Sequence, residues 1–369
     1  MGTPAVLVQR ALNRATLERQ LLLRRSAMSV YEAVEHLCGL QAQTTSSWYV
    51  GLWTRLEGFT PESVVDLMRA RKLVRVVLMR STIHLVTDRD CVAMRRPVQA
   101  VSVRGMKANW GRHLPGVDFD EVTAVGRKLL EERPLTFSEL GRRLQERWPE
   151  HDAASLAQVV RAHAALVQVP PRGLWGHSGL AVHTTAEHWL GRPLAPDDAP
   201  DDTIMRYLAA FGPASVADAR TWSGLTGLRE VFDRLRPRLR TFTDEWGREL
   251  FDLPDAPRPD PDTPAPVRFL YDFDNLVLSH DDRTRFLDAA HRSLLWPRNN
   301  RVFGAVLVDG AVRGSWRLQR DQGSAALVVQ SLRRLTREDT NALTAEGLRL
   351  LQFIGAGASR HDVHFTVAG

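Results

Sequence analysis

The stretch TPESVVDLMRARKLVRVVLMRSTIHLVT (60–87) changes its period partway along. Thr60-Pro61-Glu62 is a helix start signal, a cap residue followed by proline in the first turn. It leads into SVVDLMRARKLV, after which VRVVLM and TIHLVT are β-branched runs joined through Arg80 and Ser81, and these read as two short strands. Upstream, LNRATLERQLLLRR (12–25) carries leucines at helical spacing, and VYEAVEHLCGL (30–40), after Ser29, reads as another helix. Three helices and a β-hairpin, in that order, make a winged helix.

The same order recurs twice. DEVTAVGRKLLEER (120–133) is an amphipathic helix ended by Pro134, Thr136 caps FSELGRRLQERW, and Asp152 caps AASLAQVVRAHAAL. LVQVPPRGLWGHSGLAVHTT (166–185) then supplies a strand, a Pro/Gly turn and a second strand. The third copy runs through TIMRYLAAFG, SVADARTWSG and LREVFDRLRPRL to the hairpin LRTFTDEWGRELFDL, turning near Trp246-Gly247. A Pro/Asp-dense run, PDAPRPDPDTPAPV (254–267), reads as a stiff linker. Beyond it the pattern is of strands, with an Asp309-Gly310 hairpin turn and one long helix, REDTNALTAEGLRLLQFIG (337–355). The expected fold is α+β: winged helices over 1–115, 116–195 and 196–254, a linker over 255–262, and a β-rich, barrel-like domain over 263–369.

Composition agrees with several packed units. At 369 residues the chain exceeds one small core, and 44% apolar with 25% charged residues is ordinary for globular proteins. The net charge of +6 comes with arginine far outnumbering lysine, which suits bidentate contacts to phosphate and base edges; an arginine-heavy genome would produce the same bias. Two cysteines, Cys38 and Cys91, cannot build a disulfide framework, and no Cys-x-x-Cys pair offers zinc. No apolar run reaches membrane-spanning length, and Arg10 and Arg14 interrupt the opening apolar run, unlike a secretory leader. With no Walker loop or dinucleotide turn, no cofactor is expected. A reduced cytoplasm is the expected location.

Gln41-Ala42-Gln43 is the first candidate site. In extended backbone, residues two apart point the same way, and two amides can hold and orient a water molecule; two polar residues at a helix end would look the same. Arg80 in the first wing, Arg161 on the second recognition helix and Arg172 in the second wing are candidate phosphate contacts. Trp48, behind the glutamines, either walls a base pocket or packs in the core. Trp110, in the linking segment MKANWGRHL (106–114), either stacks on bases or anchors the core. Asp272, Asp274, His280, Asp281, Asp282 and Arg283 form a rival constellation, a magnesium site of nuclease type or a turn whose carboxylates pair with Arg283 and Arg285. His361 and His364 lack partners at ligand spacing and are expected at the surface.

The runs GLQAQTTSSWYVGLW (39–53), RSTIHLVT (80–87) and YDFDNLVLSHDDR (271–283) resemble the AlkZ/YcaQ family of winged-helix DNA glycosylases. The resemblance covers nearly the whole chain and is most specific at the glutamine–apolar–glutamine motif. It implies three tandem winged helices and a β-rich unit around a DNA channel, no metal, and cleavage of the glycosidic bond of guanine alkylated at its seven-position nitrogen. A sister branch carries aspartate where this chain has Gln43. Paired neutral amides make chemical sense for such a lesion, because a cationic base leaves as a neutral molecule and needs no general acid. The expected partner is duplex DNA with alkylated or crosslinked guanine, bound by a monomer at the nucleoid, with no membrane. The rival functions are a transcriptional regulator without catalysis and a metal nuclease.

Overall fold

The computed structural model describes residues 5–291, 295 and 302–368. Of the opening run expected not to be a secretory leader, residues 1–4 lie outside the described ones. The class is mixed α+β, with helices gathered in three groups along the first two-thirds of the chain and a sheet with a long helix at its end.

The chain opens with β1 (Val6–Leu7) and α1 (Gln9–Arg19). The first group follows: α2 (Val30–His36), β2 (Leu40–Gln41), α3 (Trp48–Trp53), α4 (Pro61–Arg69), and the hairpin β3 (Leu73–Val77) and β4 (Ile83–Thr87), then α5 (Asp88–Met94). The second comprises α6 (Gln99–Trp110), α7 (Phe119–Glu132), β5 (Leu135–Thr136), α8 (Phe137–Gln145), α9 (Ala153–His163), β6 (Leu166–Gln168), β7 (Val182–Thr185) and α10 (Ala186–Leu190). The third is α11 (Asp201–Phe211), α12 (Val216–Ser223), α13 (Leu228–Leu235), and the hairpin β8 (Arg240–Asp244) and β9 (Glu249–Asp252).

One helix in each group begins with the same device. Ser29 with Glu32, Thr136 with Glu139 and Ser215 with Asp218 each form a reciprocal capping box at the starts of α2, α8 and α12. Each box satisfies two amide groups that a helix start leaves unbonded, and a cap residue of this kind stabilises its helix by about 1 kcal/mol.

The hairpins of the first two groups are not separate wings. They merge into one six-stranded sheet, ordered β2-β4-β3-β6-β7-β5, in which β3 pairs antiparallel with β6 through Arg75 opposite Gln168 and Val76 opposite Val167. The start of the chain also departs from the linear reading. β1 pairs parallel with β8 of the third group, Val6 opposite Thr243, and α1 lies beside α11. A buried bidentate ion pair holds it there: Arg19 donates to both oxygens of Asp252 at 2.7 and 2.9 Å. The Pro/Asp linker is tied down as well, its Pro257 and Thr263 carbonyls accepting from Arg19 and Arg14.

The C-terminal strands are β10 (Arg268–Phe269), β11 (Gly304–Val308), β12 (Ala311–Asp321), β13 (Ser324–Ser331) and, after the long helix α14 (Arg337–Ile354), β14 (Arg360–Val367). Their order is linear, so the barrel expectation is corrected to an open sheet among the described residues. β13 and β14 run parallel, which requires a crossover, and α14 supplies it. With only two residues, β10 is too short to close the sheet onto β14. The histidine run expected at the surface is part of β14, where Val363 is buried, His361 part-buried and His364 exposed. The segment expected to link two modules is instead the end of α6, whose Met106 joins the second group's core while Val103 and Trp110 pack against it.

The core joins these units. One cluster runs from Val34, Leu52 and Val64 in the first group into Leu327, Val329 and Leu350 of the C-terminal unit. Another carries the β3–β4 hairpin into Tyr207, Phe211 and Trp222 of the third group. Cys38 and Cys91 are buried free thiols, and burial pushes both up to about 12, leaving them unreactive.

Candidate active site

The glutamine motif lies at the edge of the six-stranded sheet. Leu40 and Gln41 pair with Leu85 and His84 of β4. The chain enters through Gly39 at φ +83°, where a Cβ would meet Val86 Cγ1 at 2.7 Å, so only glycine allows β2 to approach β4 this closely. The Ala42 peptide is held from both sides: its N–H donates to the Ile83 carbonyl (2.7 Å), and its carbonyl accepts from Arg75 Nη2 (2.8 Å).

The two amides occupy different surroundings. Gln41 is buried, and its Oε1 accepts from Arg80 Nη2 at 2.7 Å. Arginine has only donors, so this bond settles the amide's orientation and turns its NH2 away from Arg80. Gln43 is exposed, and its Oε1 lies 3.4 Å from the Ile83 amide.

Arg80 is a central support of the site. It sits in the left-handed region at φ 56°, in the β3–β4 turn, with Ser81 beside it at φ 58°. Besides Gln41, its guanidinium donates to Asn275 Oδ1 (3.0 Å) and to the Trp222 carbonyl (2.7 Å). It makes no ion pair among the described residues, and burial lowers its pKa to about 10. Sequence reasoning placed Arg80 on phosphate; the structure instead engages it with protein oxygens, one from the motif, one from the C-terminal unit and one from the third group. Asn275 also donates to the Gly39 carbonyl (3.2 Å), so it braces both sides of β2. His84, opposite Gln41, is fully buried; burial and the Arg80 charge lower its pKa to about 3, so its ring is neutral.

Two cavities adjoin neighbours of the motif, Arg80 in one and Ser46 and Ser47 in the other, with none of the three motif residues in either lining. The first, about 620 Å3, is a cleft lined by Arg80, Ser81, Arg104, Asn109, Trp110 and Arg161, among others. Arg161 and Trp110 therefore face one cleft, with Arg104 of α6, which sequence reasoning passed over. Arg161 lies over the Phe137 ring, 5.8 Å from its centroid, and Arg104 donates to the Gly224 carbonyl at 2.6 Å. Arg172 is elsewhere, in the second wing, donating to the Gly179 carbonyl at 2.7 Å. Trp48 is fully buried and stacked on Tyr49, with centroids 4.0 Å apart, so its role is core packing and not the wall of a pocket.

The second cavity, about 510 Å3, includes Ser46, Ser47 and Asp272 in its lining. Thr44, directly after the motif, donates to Asp272 Oδ2 at 2.6 Å. The other members of the acidic run have separate partners. Asp274 accepts from both Arg55 Nη atoms (2.8 and 2.9 Å) and from the Leu276 amide (3.0 Å), Asp282 accepts from Arg248, and His280 Nε2 lies 3.1 Å from the Phe211 carbonyl. No three His, Cys, Asp or Glu side chains converge on a metal-sized site among the described residues. The pairing partner of Asp274 is Arg55, not the neighbouring Arg283 or Arg285. Arg55 follows α3, more than two hundred residues away in sequence, so no local signal could have found it.

The chain is similar to known proteins along most of its length. Residues 34–353 match the model of the family described as DNA glycosylase AlkZ-like. Over 329 residues, covering 82% of this chain and 85% of the relative, the chain is 28% identical to an interstrand DNA cross-link repair glycosylase of Streptomyces sahachiroi. It is also similar to the solved structure of the Streptomyces sahachiroi DNA glycosylase AlkZ, with a TM-score of 0.75, 25% identity, and coverage of 98% of this chain and 100% of that one.

Proposed function

Because the chain belongs to the AlkZ-like family of DNA glycosylases, and is therefore a hydrolase of N-glycosyl bonds acting on DNA, we propose that its substrates are purines made cationic by alkylation at the seven-position nitrogen. Crosslinked guanines are included, as the name of the Streptomyces sahachiroi relative suggests. The observation that carries this reading is the protonation state around the motif. Gln41 is bonded to Arg80, and its cross-strand neighbour His84 is a neutral imidazole. Neither amide can protonate a leaving base.

A seven-alkylated guanine needs no such proton. When its glycosidic bond breaks, the bonding pair passes to the base and cancels the charge already there. The sugar becomes an oxocarbenium ion, water adds to its anomeric carbon, and the released proton goes to solvent. The amides position that water, the Gln41 NH2 donating to it and the Gln43 oxygen accepting one of its protons. Neutral lesions would need the missing acid, worth about 10²–10⁴ in rate. The three helix groups grip the duplex, with the Arg104–Trp110–Arg161 cleft along its backbone. The enzyme works as a monomer on chromosomal DNA in the cytoplasm, without a cofactor.

The test is a panel of duplexes with one lesion each, under single-turnover conditions in EDTA. Release of 7-methylguanine, with uracil and hypoxanthine retained, is the expected outcome. Efficient excision of the neutral bases would overturn the assignment, and strand breaks restored by magnesium would favour a nuclease.

A further inference from the structure

The cavity beyond Thr44 is built from parts of the chain that only folding brings together. Trp175 comes from the second wing, Tyr271 from the C-terminal run, and Phe303 and Trp316 from the C-terminal sheet region. Trp175 is held by stacking on Phe353, with centroids 5.0 Å apart and planes 20° from parallel. The Trp316 indole is fixed by donating to the Leu270 carbonyl at 2.7 Å. The Tyr271 ring lies against Gly51 of α3, where a Cβ would come within 2.7 Å of it. Tyr271 is 3% exposed, and its hydroxyl has no hydrogen-bond partner among the described residues. A buried hydroxyl left unpaired costs free energy unless something else satisfies it.

Asp272 is the one carboxylate in this lining. Two residues on, Asp274 is neutralised by Arg55, yet Asp272 makes no ion pair among the described residues. Its Oδ2 accepts from the Thr44 hydroxyl, and its buried Oδ1 has no hydrogen-bond partner there. Burial raises its pKa, the sign of a carboxylate held without a countercharge. Arg317 and Arg320 also line the cavity, on its exposed side, and neither makes an ion pair among the described residues. The chamber is thus bipolar, with aromatic faces and a lone carboxylate on one part and guanidinium groups without counter-ions on another. A planar cation with an attached phosphate has this distribution of charge. Aromatic faces attract the cation, the carboxylate balances it, and arginine takes the phosphate.

We propose that this pocket receives the alkylated purine itself, with Asp272 as the counter-ion that selects a cationic base over a neutral one. The assignment rests on the reading above that the substrate base is cationic. It makes Asp272 and the Trp175 and Tyr271 rings the recognition site, distinct from the amides that place the water. It also gives Thr44 a role: its hydroxyl ties the recognition carboxylate to the residue following Gln43, so base and water are set in register.

The experiment titrates the full chain with two soluble probes, 7,9-dimethylguaninium and neutral 9-methylguanine, reading tryptophan fluorescence. The wild type is expected to bind the cation about tenfold more tightly. Asp272→Asn, which keeps the side-chain shape and an acceptor for Thr44, should bring the two affinities together. Trp175→Ala should weaken both probes, the cation more than the neutral base, because stacking is lost for both and the attraction of the ring face for charge only for the cation. Equal affinities in the wild type, or a cation preference that survives in Asp272→Asn, overturns the proposal. So does a variant that binds both probes as the wild type does and only turns over more slowly, because that identifies a proton-transfer group. Cleavage of 7-methylguanine duplex is measured alongside. If the wild type fails to cleave it, the cationic-substrate reading fails; if the wild type and Asp272→Asn cleave it at equal rate and half-saturation, only the pocket assignment fails.

Discussion

Arg80 Nη2 donates to Gln41 Oε1 at 2.7 Å and, from the same nitrogen, to Asn275 Oδ1 at 3.0 Å. One guanidinium thus links the glutamine motif, the first hairpin and the C-terminal unit, and it sets the rotamer of the amide. Arg80→Ala and Asn275→Ala should each slow base release by about 10-fold or more while leaving half-saturation nearly unchanged, since misplacing a positioned group costs rate before affinity. Lysine has one nitrogen where the guanidinium uses two, and cannot reach the Trp222 carbonyl together with the Gln41 and Asn275 oxygens, so Arg80→Lys should not rescue. Single-turnover rates with duplex binding measured in parallel would decide it; a loss confined to binding would return Arg80 to the phosphate role.

The unequal burial of the two glutamines predicts unequal side effects. Gln43→Ala, at an exposed position, should slow base release with stability changed by less than about 0.5 kcal/mol. Gln41→Ala should slow it too, and additionally cost about 1–3 kcal/mol, because Arg80 loses its acceptor. Duplex affinity should stay within a few-fold in both. Urea denaturation and single-turnover assays check this, and wild-type rates in both variants would refute the catalytic assignment.

Arg104 and Arg161 share one cleft with Trp110. Replacing either arginine by alanine should weaken binding to all duplex sequences alike and reduce the log–log salt slope by about 0.9 for each phosphate no longer neutralised. Trp110→Ala should weaken binding with the slope unchanged. Titrations of an undamaged duplex at several salt concentrations distinguish these; an unaltered slope in both arginine variants would place the duplex elsewhere.

Arg55 and Asp274 form a buried ion pair, 2% and 1% exposed. Removing one partner strands the other charge, so Asp274→Ala should destabilise the fold by about 3–5 kcal/mol. Chelator should leave wild-type base release unchanged. EDTA-sensitive activity restored by magnesium in the wild type, and lost in a folded Asp274→Asn variant, would revive the metal reading.

Acid stability follows from three buried histidines. Burial lowers the pKa of His84 and His280 to about 3 and that of His183 to about 4. The unfolded chain takes up these protons near 6.5, so between 6.5 and the folded values it binds more protons than the native state. Stability should be constant above about pH 7 and fall as pH drops below 6.5, by up to about 1.4 kcal/mol per unit for each histidine. Denaturation midpoints at pH 7.5, 6 and 5 test this, with a shallower fall expected for His183→Asn. A flat profile to pH 5 would show that these rings are not neutral in the fold.

Most helices were legible because their signals are local. Pro61 after Thr60, Thr136 and Asp152 mark helix starts that the structure places at those residues, and two of the side chains act as caps, Thr60 alone making no side-chain bond. Hairpin turns at Trp246-Gly247 and Asp309-Gly310 were equally plain, as glycine permits the positive φ these turns need. The Gln41-Ala42-Gln43 motif was visible as residue types, and alternation placed both amides along one extended segment. Burial was not visible: Trp48 and Trp110 read alike, yet one is a core ring and the other lines a cleft.

What the chain by itself determined is thus the identity and order of its elements, the capping boxes that open α2, α8 and α12, and the pair of neutral amides that restricts the chemistry. Those depend on interactions within a few residues. Tertiary structure alone decided that β3 joins β6 into one sheet, that β1 returns to β8, and that Arg80, Asn275 and Asp272 surround the motif. These pairings span up to about 237 residues, as with Val6 and Thr243. Backbone edges and guanidinium groups carry no address in sequence; they bond with whichever acceptor the packed core brings within reach, so the partner of Gln41 could be known only once the core had formed.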